Sequence, residues 1–211
     1  AQMQPGSEAA RRMVKVSGFL QRTPRDGEPA SQPTEVYAGY DDSNLYFVFV
    51  CFDSEPEKVR ARMFPRGASF TDDDWVHVVL DTFNDQRHAY MFSVYPLGIQ
   101  WDALFTEGQG ADPNFDALFE SHGMVTSEGY VTMLAIPFKS LRFSPDEKQE
   151  WGIVFGRNIP RLNEQSFWPQ YSSRIEGRLN QEAKLTGLEG ISPGRNIQLL
   201  PYAGFRSDRK S

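Results

Sequence analysis

Cysteine and histidine are nearly missing from this chain of 211 residues, which holds one Cys and three His. The lone Cys51 cannot close an internal disulfide, and with no cation beside it in sequence it reads as a small buried hydrophobe. His77, His88 and His122 show no ligand-like pairing with one another or with Cys51, so no imidazole or thiolate metal site is expected. Long apolar runs are lacking as well. The longest, residues 45–52, falls far short of the roughly 20 residues that a membrane-crossing helix needs. Positive charge is the scarcer sign: 22 Lys and Arg against 28 Asp and Glu give a net charge of -6. Such a chain repels phosphate backbones, and no nucleic-acid partner is expected. His-Glu-x-x-His, Gly-x-x-x-x-Gly-Lys and the dinucleotide fingerprint are all absent, which excludes the enzyme families that depend on them.

What the chain has in excess is aromatic: 16 Phe, 8 Tyr and 4 Trp make up 13% of it, far too much for a disordered chain. Its patterning alternates with period two. Residues 34–40 read as a strand, a turn follows at 41–44, and the apolar run 45–52 predicts a strand covered on both faces. In Trp75-Val-His-Val-Val-Leu-Asp81 the alternation puts Val76, Val78 and Leu80 on one face, and Trp75, His77, Val79 and Asp81 on the other. Turn residues at 84–85 and 96–98 join this strand to 88–95 and 99–104, giving a three-stranded meander. Further strands are expected at 115–125, 130–136, 151–159, 183–188 and 196–205, with Trp151 in the core. Helical signals are confined to 54–63, with Pro56 near its start, and to one turn at 137–141. Many short strands between Gly, Pro, Asn and Asp turns define the expected fold class: all-β, a single antiparallel β-sandwich of jelly-roll type with one or two short helices. The sandwich is expected over residues 11–205, after a loose terminus at 1–10 and before a polar, cut-off tail at 206–211.

Residues able to do chemistry gather at the turns. Asp81, Asn84 and Asp85 stand together at the end of one strand, and hard oxygens crowded in a turn suit Ca²⁺ as a cofactor. Turns also favour Asp and Asn for their own backbone geometry, and the absence of the twelve-residue calcium-loop spacing favours that account of the group. Trp101 and Trp168 are candidate platforms for the apolar face of a sugar ring, with Asp102, Asn114, Arg161 and Glu164 as partners for its hydroxyls. On that reading the protein binds and does no catalysis. On a second reading the aromatics only build the core, and the sandwich is a structural or gating domain that docks on a partner. A third needs Met91 and His77, on neighbouring strands, as the axial pair of a haem, although Met91 also fits a core.

The motifs themselves resemble a known family. Tyr40-Asp-Asp-Ser-Asn-Leu-Tyr-Phe-Val-Phe-Val-Cys-Phe-Asp53 is similar to the early strands of family 9 carbohydrate-binding modules, as are residues 73–81, 89–98 and 129–137. Asp81-Thr-Phe-Asn-Asp85, Ile136-Pro-Phe-Lys-Ser-Leu-Arg-Phe143 and Trp151-Gly-Ile-Val-Phe-Gly-Arg157 resemble the fingerprint of a bacterial family in which such a module precedes a C-terminal outer-membrane β-barrel. Asn196-Ile-Gln-Leu-Leu-Pro-Tyr202 resembles the stretch leading into that barrel. The resemblance, which runs from Thr34 to Tyr202, implies an oligo- or polysaccharide ligand and the barrel of the same chain as partner. It also implies a place in the bacterial envelope, in the periplasm or at the outer-membrane surface.

Overall fold

A computed structural model describes residues 13–66 and 72–192. The alternation at Trp75–Asp81 does sort this strand onto two faces, and the two faces meet different surroundings. Val76, Val78 and Leu80 enter a core between two sheets, whereas His77 and Val79 lie on the outer side of the larger sheet. That split organises the molecule.

Thirteen strands are present among the described residues. The smaller sheet takes β1 (Val14–Val16), β3 (Thr34–Tyr40), β4 (Asn44–Phe52), β10 (Gly129–Pro137) and β9 (Glu120–Thr126), in that spatial order. The larger runs β2 (Leu20–Thr23), β12 (Glu164–Trp168), β11 (Lys148–Ile159), β5 (Trp75–Asp81), β6 (His88–Val94), β7 (Gln100–Thr106) and β8 (Gly110–Asp112). A further strand, β13 (Ala183–Glu189), pairs with β11 on the edge that β12 also uses. All pairings are antiparallel. The fold is therefore an all-β sandwich, and helix is reduced to short 3₁₀ turns. Among the described residues no helix is long and apolar enough to cross a membrane.

Aromatic rings fill the space between the sheets. Phe155 of β11 meets Phe47 and Phe49 of β4 edge to face, with centroids 5.4 and 5.7 Å apart. Trp151 is fully buried, packs on Phe143 and donates its indole N–H to Gln149. Cys51 is buried and free, and burial pushes its thiol pKa up, as expected of an inert packing residue.

One end of this interior is ionic. Arg157, from the middle of the apolar strand β11, is wholly buried. Its guanidinium donates to the carbonyls of Pro33 (3.0 Å) and Phe52 (2.9 Å) and to the Thr34 hydroxyl (3.0 Å), and lies over the Tyr130 ring. Asp53 lies 3.9 Å away and is shared with Arg161, which also reaches Glu55 at 3.4 Å. Burial pushes the nearby Asp74 carboxyl up to about 6, against the pull of the Arg60 N–H and Arg157. An array of this kind ties β3, β4 and β11 together by direction as well as by apolar contact.

Three expectations change. Residues 54–63 make only a 3₁₀ turn at Pro56–Lys58 instead of a short helix. Arg60 accepts the Asp74 N–H at its carbonyl and donates its own N–H to the Asp74 carboxylate, so tertiary partners replace helical ones. The strand expected at 115–125 begins at Glu120, because Ala117 gives its N–H to the Asp102 carboxylate rather than to a neighbouring strand. β12 and the short β1, β2 and β8 were not foreseen in the sequence pattern. The turn at 137–141 is a 3₁₀ turn at Phe138–Ser140. The strand expected at 196–205 and the segments 1–10 and 206–211 lie outside the described residues.

Candidate functional site

The strand registers define one row of side chains on the outer face of the larger sheet. Phe167 pairs with Gly156, Gly156 with His77, His77 with Ser93 and Ser93 with Trp101, so a single line crosses β12, β11, β5, β6 and β7. Large residues stand at its ends and small ones, Gly156 and Ser93, between. Since adjacent strands lie about 4.8 Å apart, two strand spacings, roughly 10 Å, separate Trp101 from His77. The hollow so formed encloses about 280 Å³, near the lower end of ligand-sized pockets.

Its floor is a second apolar cluster. Val79, Ala89, Phe105, Val154, Phe167 and Leu179 pack there, with Met91 and Tyr171 against them. Trp75 stacks on His77 at 4.8 Å with the planes 19° apart, and Phe167 packs tilted against the same imidazole at 5.5 Å. A methyl group at Gly156 would overlap the His77 ring, which is why glycine stands beneath it. Burial lowers His77 to about 3, aided by the positive charge of Arg178, so this ring stays neutral across the physiological range. The walls are Trp101, Trp75 and Tyr171, and polar groups come from Arg22, Gln165 and Arg178. Among the described residues that line the groove there is no Asp or Glu. The pair of carboxylates that glycoside hydrolysis uses is therefore not found here.

The residues singled out by sequence are not gathered at one place. Trp101 lines the groove. Trp168 follows Phe167 on β12 and, by the two-residue period, points to the other face, where it stacks on Phe155 at 5.9 Å. Asp102 follows Trp101 and is turned inward for the same reason, accepting the Ala117 N–H at 2.6 Å; burial raises its pKa. Asn114 donates to Asp112 in an exposed turn, Arg161 belongs to the ionic end, and the buried Glu164 accepts the Ser31 N–H at 3.0 Å. Alternation along β7 and β12 is thus what separates Asp102 and Trp168 from Trp101. Trp75, Tyr171, Arg22, Gln165 and Arg178 were not selected. For Trp75 the alternation of β5 was signal enough; the others arrive from β2, β12 and the 169–182 segment, which carry no local signature. His77 and Met91 do share the groove face, where the imidazole stacks on Trp75 and touches Phe167. Gly190-Ile-Ser-Pro-Gly194 has the Gly-x-Ser-x-Gly spelling of a hydrolase elbow. That motif draws its meaning from a strand-to-helix turn on an α/β sheet, and the described fold is all-β.

The acidic turn has turn geometry. Asp81 is fully buried, and its two oxygens accept the Phe83 and Gln86 N–H groups at 3.2 and 2.7 Å. Asp85 accepts the Arg87 and His88 N–H groups, and Asn84 bridges Glu150 and Lys184. Among the described residues no group of three or more His, Cys, Asp or Glu side chains is arranged to hold a metal ion. Beside this turn lies Glu182, its carboxylate set against Gly152, the residue that pairs with Asp81. Burial first, then the charges of Asp81 and Asp85, push Glu182 up to about 7, with Lys184 opposing.

Fold and groove together define a class: a β-sandwich binding module with an aromatic-walled hollow on the outer face of one sheet. Residues 14–160, well over half of the chain, match the model of the family described as carbohydrate family 9 binding domain-like, and the chain belongs to that family. Two solved structures share the fold. One is a candidate carbohydrate-binding protein from Bacteroides uniformis, with a TM-score of 0.65 at 9% identity, covering 84% of this chain and 88% of the other. The second is a family 9 carbohydrate-binding module from Caldicellulosiruptor kristjanssonii in complex with cellotriose, with a TM-score of 0.60 at 11% identity over 94% and 92% of the two chains. Among curated protein sequences none matches significantly.

Proposed function

We propose that the groove binds an oligosaccharide and that the module carries out no chemistry on it. The observation that supports this most directly is the row from Phe167 to Trp101, with aromatic walls above small residues. A pyranose ring needs an apolar face to stack on and a few fixed polar groups for its hydroxyls, and the groove supplies both. Membership of a carbohydrate-binding family and the cellotriose held by the C. kristjanssonii module support the same choice. The lining without carboxylates supports binding over hydrolysis.

Calorimetric titration with cellotriose, xylotriose and galactotriose tests the proposal. Binding of at least one is expected. Trp101→Ala should weaken it about tenfold or more, the equivalent of about 1.4 kcal/mol, with little change in melting temperature. Trp168→Ala should lower the melting temperature and leave the affinity unchanged, since that ring packs on Phe155. A folded protein that ignores every oligosaccharide on a broad glycan array would end the reading.

The order of motifs from Thr34 to Tyr202 supports a wider setting, in which this sandwich is the extramembrane part of an outer-membrane protein whose barrel belongs to the same chain. Fractionation of the native bacterium should then recover the protein with its envelope; recovery from the cytosol would refute this placement.

A further inference from the structure

The groove is the apolar hollow described above, yet two guanidinium groups line it and, among the described residues, no carboxylate does. This is unusual within a chain of net charge -6. Elsewhere, Arg62, Arg66, Arg161 and Arg174 each stand against an aspartate. Arg22 instead lies over the Tyr171 ring at 4.8 Å and donates to the carbonyls of Tyr171 and Ser172 at 3.3 and 3.4 Å. Those acceptors hold its position and leave its charge uncompensated. Arg178 lies over the Phe105 ring at 5.5 Å. The Glu107 carboxylate accepts the backbone N–H groups of Arg178 and Leu179, both at 2.9 Å, and does not itself line the groove.

A neutral sugar requires hydrogen bonds but no net charge. Two guanidinium groups with no ion-pair partner among the described residues bring a positive field to the groove, and a guanidinium fork matches a carboxylate or sulfate better than a hydroxyl. We infer that the groove takes an anionic oligosaccharide, one that bears uronate carboxylates or sulfate esters, and that Arg22 and Arg178 read its charge. The inference rests on the sugar-binding reading above and specifies its ligand class.

The test is calorimetry at about 20 mM salt with three probes: trigalacturonic acid, a sulfated galactotriose and neutral galactotriose. At least one anionic trisaccharide should bind ten or more times tighter than the neutral one, and the ratio should shrink in 0.5 M salt as the charges are screened. Whichever anion wins identifies the group recognised. Arg178→Gln should remove most of the preference by weakening the anionic trisaccharide far more than the neutral one, and it is safe for the fold because this exposed side chain donates no hydrogen bond within the described structure. Arg22→Gln should act in the same direction. Equal or tighter binding of the neutral sugar, or a preference that survives both substitutions, overturns the inference and leaves sugar binding standing. If the folded wild-type protein binds none of the three, nor any sugar on the array, the sugar-binding reading itself has failed.

Discussion

Arg157→Ala is expected to cost about 3–5 kcal/mol of folding stability, the range for removing one partner of a buried charge pair. The guanidinium is completely enclosed and holds carbonyls of β4 and of the segment entering β3 from its place on β11. Without it, Asp53 and Asp74 remain in the interior with one cation fewer, and the carbonyls of Pro33 and Phe52 lose a donor. A domain of this size has roughly 5–15 kcal/mol in total, so the variant should be close to unfolded at 37 °C. Urea titration gives the number. Arg157→Lys should recover part of the loss, since it restores charge but not the planar fork. A loss under about 1 kcal/mol in the alanine variant would mean that the ionic end is incidental. The site would feel the same change, because Gly156, the neighbour of Arg157, lies against the His77 and Phe167 rings that line the groove.

Glu182 is expected to withdraw stability as pH rises from about 4.5 to about 7, while His77, held at about 3 against an ordinary 6.5, acts in the opposite sense over the lower part of that range. The Glu182 carboxyl sits at about 7 in the fold, against 4.5 as its ordinary value, and only 1% of the side chain is exposed. Below pH 4.5 both folded and unfolded chains carry the proton. Above 7 neither does. Between those limits the folded chain holds it more tightly, so this contribution drains away on the way up, by about 3 kcal/mol in all. Asp74 acts in the same sense over a window from its ordinary 3.8 to about 6. The contribution of Glu182 is therefore read as a difference: Glu182→Gln should gain on the wild type at pH 8 and lose that advantage at pH 4.5. Equal pH profiles for the two proteins would contradict the assignment.

The strands were legible where side chains alternate against two unlike surroundings. β3 coincides with its expected span, and the meander of β5, β6 and β7 follows from the Trp75–Asp81 pattern together with its Asn84–Asp85 and Pro96–Gly98 turns. Legibility stopped where a residue's partner is remote in sequence. Residues 115–119 alternate like a strand, yet Ala117 bonds to a side chain on β7. The segment 54–63 looked helical from its charges and Pro56, but besides Pro56 it has only Val59 and the small Ala61 as apolar residues before Met63, too little for a packed helical face. The site shows the same division. Trp101 could be selected for its aromatic character on a polar strand. Arg22 and Tyr171 could not, because their meeting depends on β2 and β12 pairing across nearly 150 residues of sequence.

The shared edge of β11 carries a consequence for how this site varies. β12 leaves that edge opposite Phe155 and β13 joins it opposite Ile153, so the intervening chain, 169–182, departs and returns about 7 Å apart. It is an Ω-type loop with both feet fixed to one rigid strand. Such a loop loses little further entropy when it meets a ligand, and it brings Tyr171, Arg178 and Leu179 to the groove as a unit. Its sequence is therefore free to be exchanged without disturbing any strand register. Related sandwiches can acquire new ligands by replacing this one segment, while the sheet that supports it stays as it is.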